Sequence, residues 1–204
     1  MRGILLGGGK SRRMGKKKQW LPFDEKPILL HTYRELCAIS NDVVIVANDP
    51  EDTARCASYG LPTVQDVFPG QGPLAGLHSG LQGLEPDDCA VLVGCDLPFA
   101  RADLFRDLID ELLSDPLLDA VVPQDAEGRL YPVCAAYRAR VRDTAEAFLQ
   151  RDDNALRHFL GMLHVRYLPT ERWSDLTHSP FFNMNTPEDY DLACTLWKKE
   201  GNSE

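Results

Sequence analysis

Positive charge is scarce in this sequence: 22 Lys and Arg against 31 Asp and Glu leave a formal net charge of -9 over 204 residues. A general nucleic-acid surface draws much of its affinity from a basic stripe, so that class of partner is not expected. Long apolar runs are absent as well. None approaches the roughly 20 residues that a membrane span needs. The apolar start, Ile4 to Leu6, runs straight into glycines and has no small-residue cleavage site, so neither a span nor a secretory leader is expected. The protein is therefore read as soluble and cytoplasmic. The six cysteines (Cys37, Cys56, Cys89, Cys95, Cys134, Cys194) include no CxxC pair, and the five histidines share no metal-ligand spacing. Thiol redox chemistry and a zinc site are both unexpected, and the cysteines read as reduced packing residues. Repeats, low-complexity tracts and linkers are also lacking. Residues 1–204 read as one domain, with fraying expected only over 199–204.

What is present alternates. Arg2 to Leu6, Asp42 to Ala47 (DVVIVA) and Cys89 to Gly94 (CAVLVG) are continuous apolar runs of the kind found in strands buried on both faces. Helical patterns lie between and after them. Pro27 to Ile39 opens with proline at a plausible first helical position, Pro73 to Leu84 follows a glycine-rich turn, and Arg101 to Leu113 spaces Leu104, Leu108 and Leu112 four apart. Asp119 to Pro123 reads as a strand. Beyond it, Leu130 to Tyr137 reads as extended, Val141 to Leu149 and Ala155 to Leu160 as helices, His164 to Leu168 as a strand, and a last helix starts near Pro187. Strands alternating with helices predict a three-layer α/β/α domain around a mostly parallel, Rossmann-like sheet.

Three motifs carry chemistry. The run Leu6-Gly7-Gly8-Gly9-Lys10-Ser11-Arg12-Arg13-Met14-Gly15 places three glycines and a basic cluster after the first strand, and Lys16, Lys17 and Lys18 follow. Glycines let backbone amides turn onto phosphate oxygens, and cations gathered on one loop of an acidic chain suit a polyphosphate. The run lacks the GxxxxGK[ST] spacing of a P-loop, since Ile4 stands where the first glycine before Gly9-Lys10-Ser11 would be, and it lacks the GxGxxG spacing of dinucleotide folds. In the second motif, Val93-Gly94-Cys95-Asp96-Leu97-Pro98, a buried strand ends in an aspartate. Ligands of open parallel sheets sit at the carboxyl ends of strands, so Asp96 is the candidate magnesium ligand; a turn or cap aspartate before Pro98 is the alternative. The third is Phe181-Phe182-Asn183-Met184-Asn185-Thr186-Pro187-Glu188-Asp189. Thr186 caps a helix there, while Asn183 and Asn185, as alternate residues of an extended segment, face the same way.

These motifs, with Lys18, Asn48, Asp66 and Gly72-Pro73-Leu74-Ala75-Gly76-Leu77, resemble the molybdenum cofactor guanylyltransferase family (molybdopterin-guanine dinucleotide biosynthesis protein A) over nearly the whole chain. The resemblance implies the nucleotide-diphospho-sugar transferase type of fold. It also implies transfer of GMP from GTP to molybdenum-molybdopterin with magnesium, and molybdoenzyme apoproteins or their chaperones as further partners. By the same resemblance, Leu6, Gly7, Gly8, Lys18, Asn48, Asp66 and Asp96 meet the nucleotide. Lys18 and Asp96 are catalytic, Asp96 holds the metal, and Arg12, Asn183 and Asn185 line the acceptor side. Two residues depart from the family. Gly7 stands in place of alanine, a mild change, and Lys17 in place of an acid adds charge beside the phosphates and leaves Lys17 and Lys18 competing for the functional role. The histidines read as solvated or core residues; His78, on the helix after Gly76, is the one to watch for an approach to the acceptor, and Tyr131-Pro132 is the candidate border of the cleft on that side. Alternatives are a cytidylyltransferase of the same cofactor, a sugar- or alditol-phosphate nucleotidyltransferase, and a silent nucleotide-binding module.

Overall fold

The computed structural model describes residues 1–8, 17–174 and 178–201, with side chains as far as Lys198. Seven strands form the main sheet: β1 (Arg2–Leu6), β4 (Val43–Val46), β5 (Thr63–Val64), β6 (Cys89–Gly94), β7 (Ala120–Gln124), β8 (Cys134–Arg138) and β9 (Val165–Pro169). Their order is β5-β4-β1-β6-β8-β7-β9. Every neighbouring pair is parallel except those made by β8, which runs antiparallel to both β6 and β7. A small hairpin, β2 (Pro22–Phe23) with β3 (Lys26–Pro27), stands apart from the sheet.

Among the described residues there are seven α-helices: α1 (Ile28–Cys37), α2 (Pro50–Ser58), α3 (Gly72–Gly80), α4 (Ala102–Leu113), α5 (Val141–Leu149), α6 (Leu156–Leu160) and α7 (Pro187–Gly201). The two-residue period of a strand sends successive side chains to opposite faces, and the core divides accordingly. Leu5, Val43, Ile45, Val91, Val93 and Val121 join side chains of α1, α2 and α4. Their sequence neighbours Ile4, Val46, Leu92 and Val122 join those of α3, α5 and α6. This is the expected three-layer, mostly parallel architecture. Leu104, Leu108 and Leu112 are fully buried on α4, each contributing roughly 1.5–3 kcal/mol of transfer free energy. A third, smaller core of Phe23, Ile28, Phe99, Met184 and Ala193 packs with Trp197 between the hairpin and α7.

Several boundaries differ from the sequence reading. Pro27 is extended (ψ 138°) and pairs with Pro22, so α1 starts one residue later. Of the segment 130–137, the ladder to β6 takes in Cys134 onward, while Leu130 makes a lone bridge to Gln124. The last helix spans Pro187–Gly201, and 202–204 lie outside the described residues. Among the described residues, no helix is long and apolar enough to cross a membrane.

Candidate active site

The chain steps from β1 outward through β4 to β5, then crosses back to β6 on the other side of β1. That reversal falls at the carboxyl end of β1, the usual ligand position in open α/β sheets. Leu6, Gly7 and Gly8 lead the backbone into it. Gly7 is held by its amide on the Val46 carbonyl (3.0 Å). A β-carbon there would lie 2.5 Å from Ile45 Cγ2, so an alanine in place of Gly7 would force that side chain to shift. A β-carbon on Gly8 would meet nothing within 4 Å. Arg12 and the rest of 9–16 lie outside the described residues.

On the adjacent strand, Asp96 follows the end of β6, and the Cys95 amide donates to the Leu6 carbonyl (3.3 Å). Burial pushes the Asp96 carboxyl above the usual carboxylate range, and the charge of Lys18 opposes that shift. No side chain among the described residues hydrogen-bonds the Asp96 carboxylate. The Asp96 carbonyl accepts the Met184 amide (2.9 Å), which stitches the segment carrying both asparagines to the end of β6. Lys18 Nζ donates to Asn185 Oδ1 (3.0 Å), and Asn183 Oδ1 is buried without a hydrogen-bond partner among the described residues. Thr186 and Asp189 form a reciprocal helix cap: Asp189 Oδ2 accepts the amides of Asn185 and Thr186 (both 2.8 Å), while Thr186 Oγ1 accepts that of Asp189 (3.2 Å). The cap therefore also fixes the backbone of Asn185.

The two competing lysines separate. Lys17 Nζ lies against Asp49 (3.2 Å), Glu51 (3.1 Å) and Asp52 (3.0 Å) at the start of α2. Burial works against its charge, but those hydrogen bonds prevail and raise its pKa. Its extra positive charge is spent on α2, and Lys18 is the lysine that faces Asp96 and Asn185.

Asn48 and Asp66 lie after β4 and β5 and bond each other twice: Asn48 Nδ2 to Asp66 Oδ2 (3.2 Å) and the Asp66 amide to Asn48 Oδ1 (2.9 Å). Asp66 also accepts the Ser79 hydroxyl (3.1 Å) and the Phe68 amide (3.0 Å), so its carboxylate braces the loop over α3. Asn48 stays exposed beside it. His78 is 2% exposed and packs on Phe68, with Nε2 3.8 Å from Glu146 of α5, so it belongs to the α3–α5 layer and not to the acceptor side. Tyr131 borders a cavity of about 300 Å³ with Glu171, Trp173, Ser179 and Phe181. Sequence reasoning missed Asp52, although Asp49-Pro50-Glu51-Asp52 is a helix-start signature. Among the described residues, no group of three His, Cys, Asp or Glu side chains is placed to hold a metal ion.

Comparison with known proteins identifies the family and the fold. Residues 3–167 match the model of the MobA-like NTP transferase domain. The chain is 30% identical over 190 residues to a "probable molybdenum cofactor guanylyltransferase" of Bacillus cereus, covering 92% of each protein. It is 32% identical over 196 residues to one of Carboxydothermus hydrogenoformans, covering 95% of this chain and 94% of that one. The crystal structure of molybdopterin-guanine dinucleotide biosynthesis protein A from Archaeoglobus fulgidus superposes with a TM-score of 0.85 at 25% identity, over 98% of this chain and 100% of that one. A CMP:2-keto-3-deoxy-manno-octonic acid synthetase, solved with CTP, shares the fold at a TM-score of 0.74 and 14% identity, over 98% of each chain.

Proposed function

This chain belongs to the MobA-like NTP transferase family, and we propose that it transfers GMP from GTP to molybdenum-molybdopterin, giving the guanine dinucleotide cofactor and pyrophosphate. Family and fold together make it a nucleotidyltransferase, an enzyme that joins a nucleotide to a cofactor or sugar acceptor. The observation that carries the finer reading is the convergence of Lys18, Asp96, Asn183 and Asn185, from three separate segments, beside the glycine turn after β1.

The backbone of Leu6, Gly7 and Gly8 lies under the triphosphate, with Asn48 exposed toward the nucleoside and Asp66 fixing Asn48. An oxygen of the acceptor's terminal phosphate attacks the α-phosphorus in line. The new O–P bond forms as the bond to the β-phosphate oxygen breaks, and its electron pair leaves on pyrophosphate. An ionised phosphate nucleophile has no proton to surrender, so the site needs no strong general base. Lys18 neutralises charge that grows on the phosphates, and the remaining rate enhancement is positioning. Asn183 and Asn185 face the acceptor, with Arg12 assigned to the same side.

A single unpaired carboxylate and an orphaned amide oxygen suit magnesium, which takes one or two protein oxygens and completes its shell with phosphates and water. Asp96 and Asn183 Oδ1 are the residues that would hold it. The ion would supply charge neutralisation between triphosphate and acceptor. Molybdoenzyme apoproteins or their chaperones are the proposed recipients of the product.

The test is magnesium-dependent pyrophosphate release with molybdenum-loaded molybdopterin, comparing GTP, CTP, ATP and UTP for the wild type and Asp96→Ala. A GTP preference abolished by the substitution supports the proposal. A CTP preference moves the assignment to the cytidylyltransferase, and binding without release with any nucleotide leaves a silent module.

A further inference from the structure

The geometry points to Asp52 as the positioning residue for Lys18, a role that rests on the proposed contact of Lys18 with nucleotide phosphates. Asp52 lies in the first turn of α2 and is 4% exposed. Its Oδ1 accepts Lys17 Nζ (3.0 Å) and Trp20 Nε1 (2.7 Å), and its Oδ2 accepts Gln19 Nε2 (3.0 Å). One buried carboxylate thus gathers three of the four residues 17–20, a stretch closed by a 3-10 turn over Lys18–Trp20. The fourth, Lys18, points away from α2 to Asn185 Oδ1 (3.0 Å).

The anchor is deep. Trp20 is 8% exposed, with Arg55 over its ring at 4.4 Å and Tyr59 stacked at 6.2 Å, both from the α2 side. Lys17 is tied a second and third time to Asp49 and Glu51. Carboxylates at the start of α2 also meet the positive end of its dipole. Such an arrangement holds a flexible lysine in one direction by fixing the backbone on either side of it, so the ammonium need not be ordered by the nucleotide itself. The same contacts explain why a lysine can occupy position 17: its charge is taken up by α2 and never reaches the phosphates.

A double-mutant cycle separates positioning from general stability, because residues acting through one another lose non-additively. Pyrophosphate release is measured for the wild type, Asp52→Asn, Lys18→Ala and the double variant. Misplacing a catalytic group by about an ångström costs up to ~10²-fold, so Asp52→Asn is expected to lower kcat by about ten- to a hundredfold. In the Lys18→Ala background the same change should cost less than about threefold. Full multiplication of the two losses would show that Asp52 only supports the fold and would overturn the inference. Trp20→Phe, which removes one donor and keeps an aromatic ring, runs the same cycle if Asp52→Asn does not fold; its loss must likewise vanish without Lys18. Lys18→Ala at the wild-type rate would overturn both the role of Lys18 and its anchor. Should the wild type release no pyrophosphate, the reading of the reaction fails on its own account. The cycle then runs on GTP affinity by calorimetry, where coupling supports the anchor and additivity removes it.

Discussion

Adjacent ammonium groups on Lys17 and Lys18 face opposite ways, one into three carboxylates of α2 and the other toward Asp96 and Asn185. Lys18→Ala is therefore expected to lower kcat by about a hundredfold or more, the scale of losing one preorganised charge-stabilising group, and Lys17→Ala by much less. The reverse order in steady-state pyrophosphate release would sink the assignment. Asp96 makes a second prediction, on stability. Its pKa is raised by burial against the pull of Lys18, so burial penalises the ionised carboxylate in the ligand-free fold. Ionisation above the raised value then costs stability, and that cost is absent below the ordinary carboxylate range. Asp96→Asn should melt higher than the wild type near pH 7 while losing activity, with the gap closing as the pH falls through the raised value. A gap that stays constant with pH would contradict the shift. Asp96 was legible as a strand-end carboxylate because a buried apolar run ran straight into it. Asp52 was legible only as part of a helix start; its anchoring role was not, because its partners lie more than thirty residues earlier.

Elements buried on both faces were the easiest to find. β1 and β6 begin and end where their apolar runs do, since a central strand has no polar side to blur its limits. By contrast, α2 passed unseen: Asp52 and Cys56 alone are buried on it, so it has no apolar stripe to read, and its signal lies in the Asp49 cap and Pro50. The antiparallel course of β8 was equally hidden, because a run buried on both faces reads the same in either direction. The hairpin of β2 and β3 escaped for a chemical reason. Its two turn residues, Asp24 (φ 47°) and Glu25 (φ 63°), take the left-handed conformation usually given to Asn-Gly. Glu25→Gly removes the strain of a side chain in that region and is expected to stabilise by about 1 kcal/mol. Urea denaturation would show the midpoint rise, and an unchanged or lower midpoint would mean that Glu25 makes a compensating contact.

Across the whole molecule, the three segments that bear the candidate catalytic groups are joined from below. Phe23 follows the Lys18 turn, Phe99 follows Asp96, and Met184 sits between Asn183 and Asn185; all three enter the small core closed by Ala193 and Trp197 of α7. Phe23 lies edge-on to Phe99 at 6.3 Å and tilted to Trp197 at 4.9 Å. Met184 is buried between Asn183 and Asn185, and Asn185 accepts Lys18, so packing and the candidate site share one segment. Long-range convergence of this kind is beyond sequence patterning, which registers Met184 only as an apolar residue between two polar ones. Met184→Ala opens a cavity costing about 2–5 kcal/mol, and because the vacancy is common to all three segments, kcat of the folded enzyme should fall with it. Leu108→Ala is the control: equally buried, on α4, it should lower the melting temperature comparably and leave kcat near wild type. Equal kcat for both variants, measured well below their melting temperatures, would mean that the three segments hold their geometry without this shared core. A loss confined to Met184→Ala would mean that one small cluster, and not the sheet alone, sets the distance from Lys18 to Asp96.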